Sequence, residues 1–372
     1  MLLTGCFARA AAEKHSITRL WKQSSRLISR SITQNAGDHG EHYITRDKKE
    51  YWAMFYSAAG GGVLIALMAL FKTYLGSIID DKVWKSLAEG LNYGFGFMVI
   101  FMLHFTVATK QPAMTAARFA EAVEKNPQGK TLNMKLAQLL VDVFRSQSVA
   151  VLGNVVVAMG LAALIAFVYQ HQTGEPLMNS EKIAYQLHRI DPLDGSLWFA
   201  AIAGVWLFCS GIISGYFDNR SNYLNMRMRL AQHPLLKKLM SEKSRVKFAN
   251  YMHENYGSLI GNFCFGMLLG LTGLVGYLTH LPLDIRHVAF SSANLGYSAV
   301  SGQFAYPFFL QCIAFVLLIG LVNLMVSFSL TLWVALRSLN TEIDSWWAIW
   351  HEVCQIVKKR PLSLFFPVQL DK

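Results

Sequence analysis

Along the chain, long uncharged apolar runs alternate with short blocks that hold nearly all the charge. Six runs stand out, near residues 51–71, 90–109, 148–169, 196–217, 258–279 and 307–335. A helix needs ~20 apolar residues to cross the hydrocarbon core. Backbone groups there must be satisfied inside the segment, so each run predicts a helix. The pattern therefore predicts an all-α, polytopic membrane helix bundle of about six transmembrane helices. A basic cytoplasmic segment at 1–50 should precede the bundle at 51–336, and an amphipathic cytoplasmic tail at 337–372 should follow it.

The polar blocks carry their own local signals. Residues 110–147 predict a cytoplasmic helical hairpin, with Pro112 in a first turn and "NPQGK" at 126–130 as the bend. Residues 218–257 are helix-prone and broken near His233-Pro234. In the tail, Trp346, Trp347 and Trp350 precede Lys358, Lys359 and Arg360, and Pro361 should end the helix. That order suits a helix lying in the membrane interface. Near the start, Ile17, Leu20, Trp21, Leu27 and Ile28 share a face beside Lys22, Arg26 and Arg30. This is either a membrane-surface helix or an organellar transit segment, which is also Arg- and Ser-rich and poor in acids.

Composition agrees: 53% of residues are hydrophobic and only 15% charged, where soluble domains carry about 25% charged. Charge then sets orientation. The first, third, fifth and seventh polar segments hold 9, 6, 8 and 5 Lys plus Arg, against 3, 2 and 1 in the others. Positive residues collect in cytoplasmic loops. The expected location is the bacterial inner membrane, multi-pass, with both termini cytoplasmic. Topology and anionic lipid account for the net charge of +11, so specific nucleic-acid binding is not expected. Membrane lipid is the expected partner, with a homo-oligomer or an envelope protein as further classes. The five cysteines form no pair at metal-ligand spacing, and neither a metal nor a cofactor is expected.

Small residues recur in the spans: Gly60–Gly62, Gly211 and Gly215, then Gly266, Gly270, Gly273 and Gly276. Such spacing lets helix backbones approach closely. Polar residues inside the spans are few, chiefly His104, Asn154, Asn262 and Asn323. They suit either ordinary interhelical hydrogen bonds or a polar pocket. Between the last two spans lies "LPLDIRHVAFSSANLGYSAVSG" at 281–302, on the outer side by the charge count. Its Gly and Asn suit a turn, within a re-entrant or surface-lying loop. Asp284, Arg286, His287, Ser291, Ser292, Asn294 and Tyr297 are its candidate polar site. The bland alternative is a solvated connector.

Ser, His and Asp occur together in this loop, but a hydrolytic triad is defined by geometry, so no catalytic residue is assigned. The chain has no Walker loop, no dinucleotide fingerprint and no Cys-x-x-Cys pair.

Three stretches are shared with one group of proteins: "GEHYITRDKKEY" at 40–51, "HFTVATKQPAMTAARFA" at 104–120 and "LPLDIRHVAFSSANLGYS" at 281–298. With them the chain resembles the bacterial membrane proteins labelled site-specific recombinase, of the gonococcal Gcr type. The resemblance implies correspondence to the C-terminal half of longer members. It also singles out Lys110, Gln111 and Pro112 as a motif at a cytoplasmic helix end. The label implies DNA strand exchange. Yet the chain has no His-x-x-Arg pair, as a tyrosine recombinase requires, and no segment large enough for a soluble catalytic domain. The expected function is a non-enzymatic envelope, transport or assembly component. The alternatives are a recombination-associated protein and a membrane-embedded enzyme acting at the outer face.

Overall fold

The computed structural model describes residues 44–45, 47–108, 111–125, 130–339 and 343–367. The amphipathic stretch around Trp21, the turn at 126–129 and Lys110 lie outside the described residues. Among the described residues there are twelve α-helices and no strand: α1 (Lys48–Ile78), α2 (Lys82–Met102), α3 (Gln111–Lys125), α4 (Lys130–Thr173), α5 (Ser180–Ile190), α6 (Ser196–Tyr223), α7 (Met226–Gln232), α8 (Pro234–Leu239), α9 (Glu242–Thr279), α10 (Val288–Ser301), α11 (Tyr306–Leu339) and α12 (Trp346–Lys359).

Five of them are long and apolar enough to cross a membrane: α1, α4, α6, α9 and α11. The sixth expected span behaves differently. Helix α2 has 21 residues but includes Lys82, Lys85 and Glu89. It also stops at Met102 rather than continuing toward 109, and His104 takes a left-handed φ of 58°. The helix can end there because its neighbours supply the missing backbone partners. Ser57 Oγ donates to the His104 carbonyl at 3.0 Å, and the Thr106 N–H donates to the Ser57 carbonyl at 3.1 Å.

Local chemistry fixes the other ends. Asp47 caps α1 by accepting from the Glu50 N–H at 2.8 Å. Asp81 caps α2 by accepting from Val83 and Trp84 at 3.0 and 2.9 Å, which makes α1 and α2 a tight antiparallel hairpin. Such caps are each worth about 1 kcal/mol. His233 ends α7 and Pro234 opens α8, as the sequence pattern implies. Pro361 follows α12 and opens a short 3-10 turn, Pro361–Leu364.

The packing closes a ring in the order α1, α2, α9, α6, α11, α10, α4 and back to α1. Two crossings are built on glycine. Gly266 and Gly270 of α9 meet the backbone of Gly94 and Gly90 of α2, so any side chain at the α9 positions would collide with main chain. Across the ring, a Cβ on Gly204 of α6 would sit 3.0 Å from the Asn323 carbonyl of α11.

Between α4 and α11 no single helix fills the gap. Helix α3 packs on both at one end, and α10 packs on both at the other. The α3 end joins Phe119, Leu136, Leu332 and Ile349 of α12 in one buried cluster. Trp346 stacks on Phe119, with ring centroids 6.2 Å apart and planes within 3°. The chain's described ends meet here too. Buried Arg145 donates to the Thr45 carbonyl, to the Ser363 carbonyl at 3.2 Å and to Asp142 Oδ1 at 3.0 Å. We call this the terminal end, and the other the distal end.

Helix α10 replaces the turn expected within 281–302. All its residues from Val288 to Ser298 except Asn294 are buried. Two of the stretch's candidate polar side chains are satisfied inside the helix or by a neighbour. Ser292 Oγ donates to the Ala289 carbonyl at 2.8 Å, and Tyr297 Oη to the Ala66 carbonyl at 3.0 Å. Gly296 lets α10 lie directly on the Met159 carbonyl of α4.

Candidate functional site

The distal end gathers charge from three elements. The α1–α2 hairpin contributes first. Lys72 and Glu89 lie almost symmetrically about the Asp80-Asp81 turn, and antiparallel pairing brings them into an ion pair of 3.1 Å. The Lys72 ammonium also lies 5.4 Å from the ring centroid of Tyr93.

Helix α5 contributes Arg189. Asn179 caps this helix, accepting from the Lys182 N–H at 2.9 Å. Arg189 Nη1 donates to Asp284 Oδ2 at 3.1 Å and to Tyr185 Oη at 2.6 Å, while Nη2 donates to the Ile285 carbonyl at 3.1 Å.

The segment before α10 contributes the rest. Arg286 Nη1 donates to Asp284 Oδ2 at 2.6 Å, and its Nε donates to the Arg189 carbonyl at 2.6 Å. Its guanidinium lies 4.8 Å from the Phe199 ring centroid. Burial on its own would raise the Asp284 pKa, but Arg189 and Arg286 outweigh it and hold the carboxyl below the usual carboxylate range. Burial opposes the charge on Arg189, yet Asp284 and Tyr185 keep that group more firmly protonated than usual.

The backbone here is extended, so its polar groups need partners at depth. Asn323 supplies them. Its Oδ1 accepts from the Val288 N–H at 3.1 Å, and its Nδ2 donates to the carbonyls of Ala200 and Arg286 at 2.8 and 2.9 Å. The Arg286 N–H donates to the Phe199 carbonyl at 3.2 Å.

Between these elements lies a pocket of ≈ 440 Å³, its open mouth included. The charged side chains lining it are Lys72, Arg189 and Arg286. Glu89 and Asp284, which pair with them, do not line it. Tyr93, Tyr185, Gln186, Ser291 and Asn294 add polar groups to the wall. At its inner edge, His287 is buried against Phe97, Phe265 and Phe290, with ring centroids 6.1, 5.8 and 5.6 Å away.

Of the residues expected from sequence, Arg286, His287, Ser291 and Asn294 come together on this wall, and Asp284 pairs with Arg286 without lining the pocket. Ser292 and Tyr297 are fully enclosed and bonded to main chain elsewhere. The intramembrane set does not converge. Asn154 bonds to Ala58, Thr106 and Ala108, Asn262 to Ser258 of its own helix, and Asn323 to the segment before α10. His104 is exposed and non-helical. Gln111 and Pro112 open α3, and Lys110 lies outside the described residues.

Sequence reasoning missed Lys72, Glu89, Tyr93, Tyr185 and Arg189. It took Lys72 and Glu89 for span boundaries, yet both helices continue past them. Their equal distance from the Asp80-Asp81 turn was a usable signal. So was the presence of Arg189 and Arg286 in segments otherwise nearly free of positive charge.

An all-α bundle of membrane-length helices with an ion-paired pocket at one end is thus the class of protein. The chain belongs to the site-specific recombinase family: the family described as Site-specific recombinase matches residues 1–367. No curated protein and no solved structure matches it.

Proposed function

We propose that this family member is a non-enzymatic component of the bacterial inner membrane whose working surface is the distal pocket. The charge alternation assigns that end to the outer compartment, away from DNA. One observation carries the reading: three cationic side chains line a single pocket, and each is held by a carboxylate that is not part of its lining. Ion pairs of that kind are costly to bury and mark functional sites within membranes. The strand-exchange reading finds no support in the chain's own motifs.

Orientation is tested on a Cys-less background with Leu193→Cys and Leu239→Cys, at positions 94% and 80% exposed at opposite ends. A membrane-impermeant maleimide applied to intact spheroplasts should label Leu193→Cys and spare Leu239→Cys. The reverse pattern would put the pocket in the cytoplasm and end the proposal. Sequence-specific retention of a DNA duplex by the purified protein at physiological salt would restore the family label's literal meaning.

A further inference from the structure

We infer that the distal pocket binds a phosphate-type oxyanion, either free or as a lipid head group. This rests on the pocket being the working surface. The first argument is charge. Lys72, Arg189 and Arg286 carry three positive charges, and Glu89 and Asp284 carry two negative ones. The cluster is left one positive charge in excess, which a singly charged anion would balance.

The second argument is arrangement. Because the cations and not the carboxylates line the pocket, a group inside it has the cations as its charged neighbours. Attraction to a cation at contact strengthens as water is excluded, and the Arg286 side chain is only 7% exposed.

The third argument is geometry. The cations come from α1, from α5 and from the segment before α10, so they approach from three separate elements. A tetrahedral oxyanion offers acceptors in several directions and suits such a set, whereas a planar carboxylate offers two oxygens. Arginine pairs well with phosphate, and lysine serves it as a point charge. Tyr185, Ser291 and Asn294 provide neutral donors on the same wall.

The test uses the full chain in dodecyl maltoside, an uncharged detergent, with calorimetric titration at constant ionic strength. The probes are inorganic phosphate and dihexanoyl phosphatidylglycerol. At least one should saturate the protein at about 1 mM or below. Phosphate alone would mark a soluble ligand; the lipid alone would mark a head group. Lys72→Gln should weaken the binding about tenfold, the effect of losing one charge-assisted contact. Glu89→Gln should tighten it at least about threefold, because it releases Lys72 from its counter-charge. A merely structural role for Glu89 gives the opposite sign.

Saturation by neither probe would overturn the inference. So would unchanged affinity in Lys72→Gln, or weaker binding in Glu89→Gln. The maleimide pattern separates the two ideas. Outward labelling without anion binding leaves the proposed function standing, and inward labelling with anion binding leaves an anion site on the other face.

Discussion

Residues 103–108 and 282–287 invite comparison. In each, the backbone leaves the helical state on its way into the bundle, and in each one buried asparagine meets backbone polar groups. Asn154 accepts from the Ala108 N–H at 2.8 Å and donates to the carbonyls of Ala58 and Thr106 at 2.5 and 2.9 Å. Asn323 does the same for Val288, Ala200 and Arg286. Each break leads into a short helix, α3 or α10, and the two short helices together fill the gap between α4 and α11. The difference lies in charge. The first break is supported by Ser57 and Thr106, which are neutral. The second is tied into the cluster of Asp284, Arg189 and Arg286. The same backbone solution thus serves packing at one end and a polar site at the other.

The largest expected effect tests the shared part. Asn323→Leu and Asn154→Leu each strand two backbone groups that no helix bond satisfies, at about 1–3 kcal/mol per group. Both should sharply lower the unfolding temperature in detergent. A mild Asn323→Leu beside a severe Asn154→Leu would break the comparison. Next in size is Gly296→Leu, which forces α10 off the Met159 carbonyl at a cost of about 1–3 kcal/mol. Hydrogen exchange should then rise across 288–301 and stay unchanged across 111–125.

A smaller effect separates the two ends by pH. The Asp284 pKa is lowered in the folded state, so its contribution is present above the ordinary carboxylate range and is lost as pH falls through the folded value. Acidification below about pH 4 should loosen 282–291 in wild-type protein, and Asp284→Asn should remove that dependence. Residues 103–108 hold no carboxylate and should not share it. The smallest effect is Ser57→Ala, which removes the bond to the His104 carbonyl at about 1 kcal/mol. It should leave the distal pocket's anion titration untouched.

Much of the fold was legible because lipid imposes a simple code. Apolar length and alternating charge located the helices α1, α4, α6, α9 and α11, the α3–α4 hairpin and the tail helix. The code failed where protein, not lipid, is the local solvent. Asn294 and Gly296 look like turn chemistry, but α10 is enclosed by other helices, where glycine permits close contact and the Ser292 hydroxyl bonds back to a carbonyl. Lys72 and Glu89 looked like boundaries because each was weighed alone, and an ion pair inside a hairpin cancels the charge that a single residue would present. Of the candidate site, the part within 284–294 was visible in one stretch. Arg189, Tyr185 and Lys72 reach the pocket only through tertiary packing.

The Arg145 clamp has a consequence for biogenesis. Its guanidinium holds main chain from Thr45, before the first long helix, and from Ser363, after the last. During translation Thr45 and Arg145 exist long before Ser363 is made. The full clamp can therefore form only after the residues of all five membrane-length helices have been made. The clamp thus ties the start of the first long helix to the tail, and its last partner in chain order is Ser363.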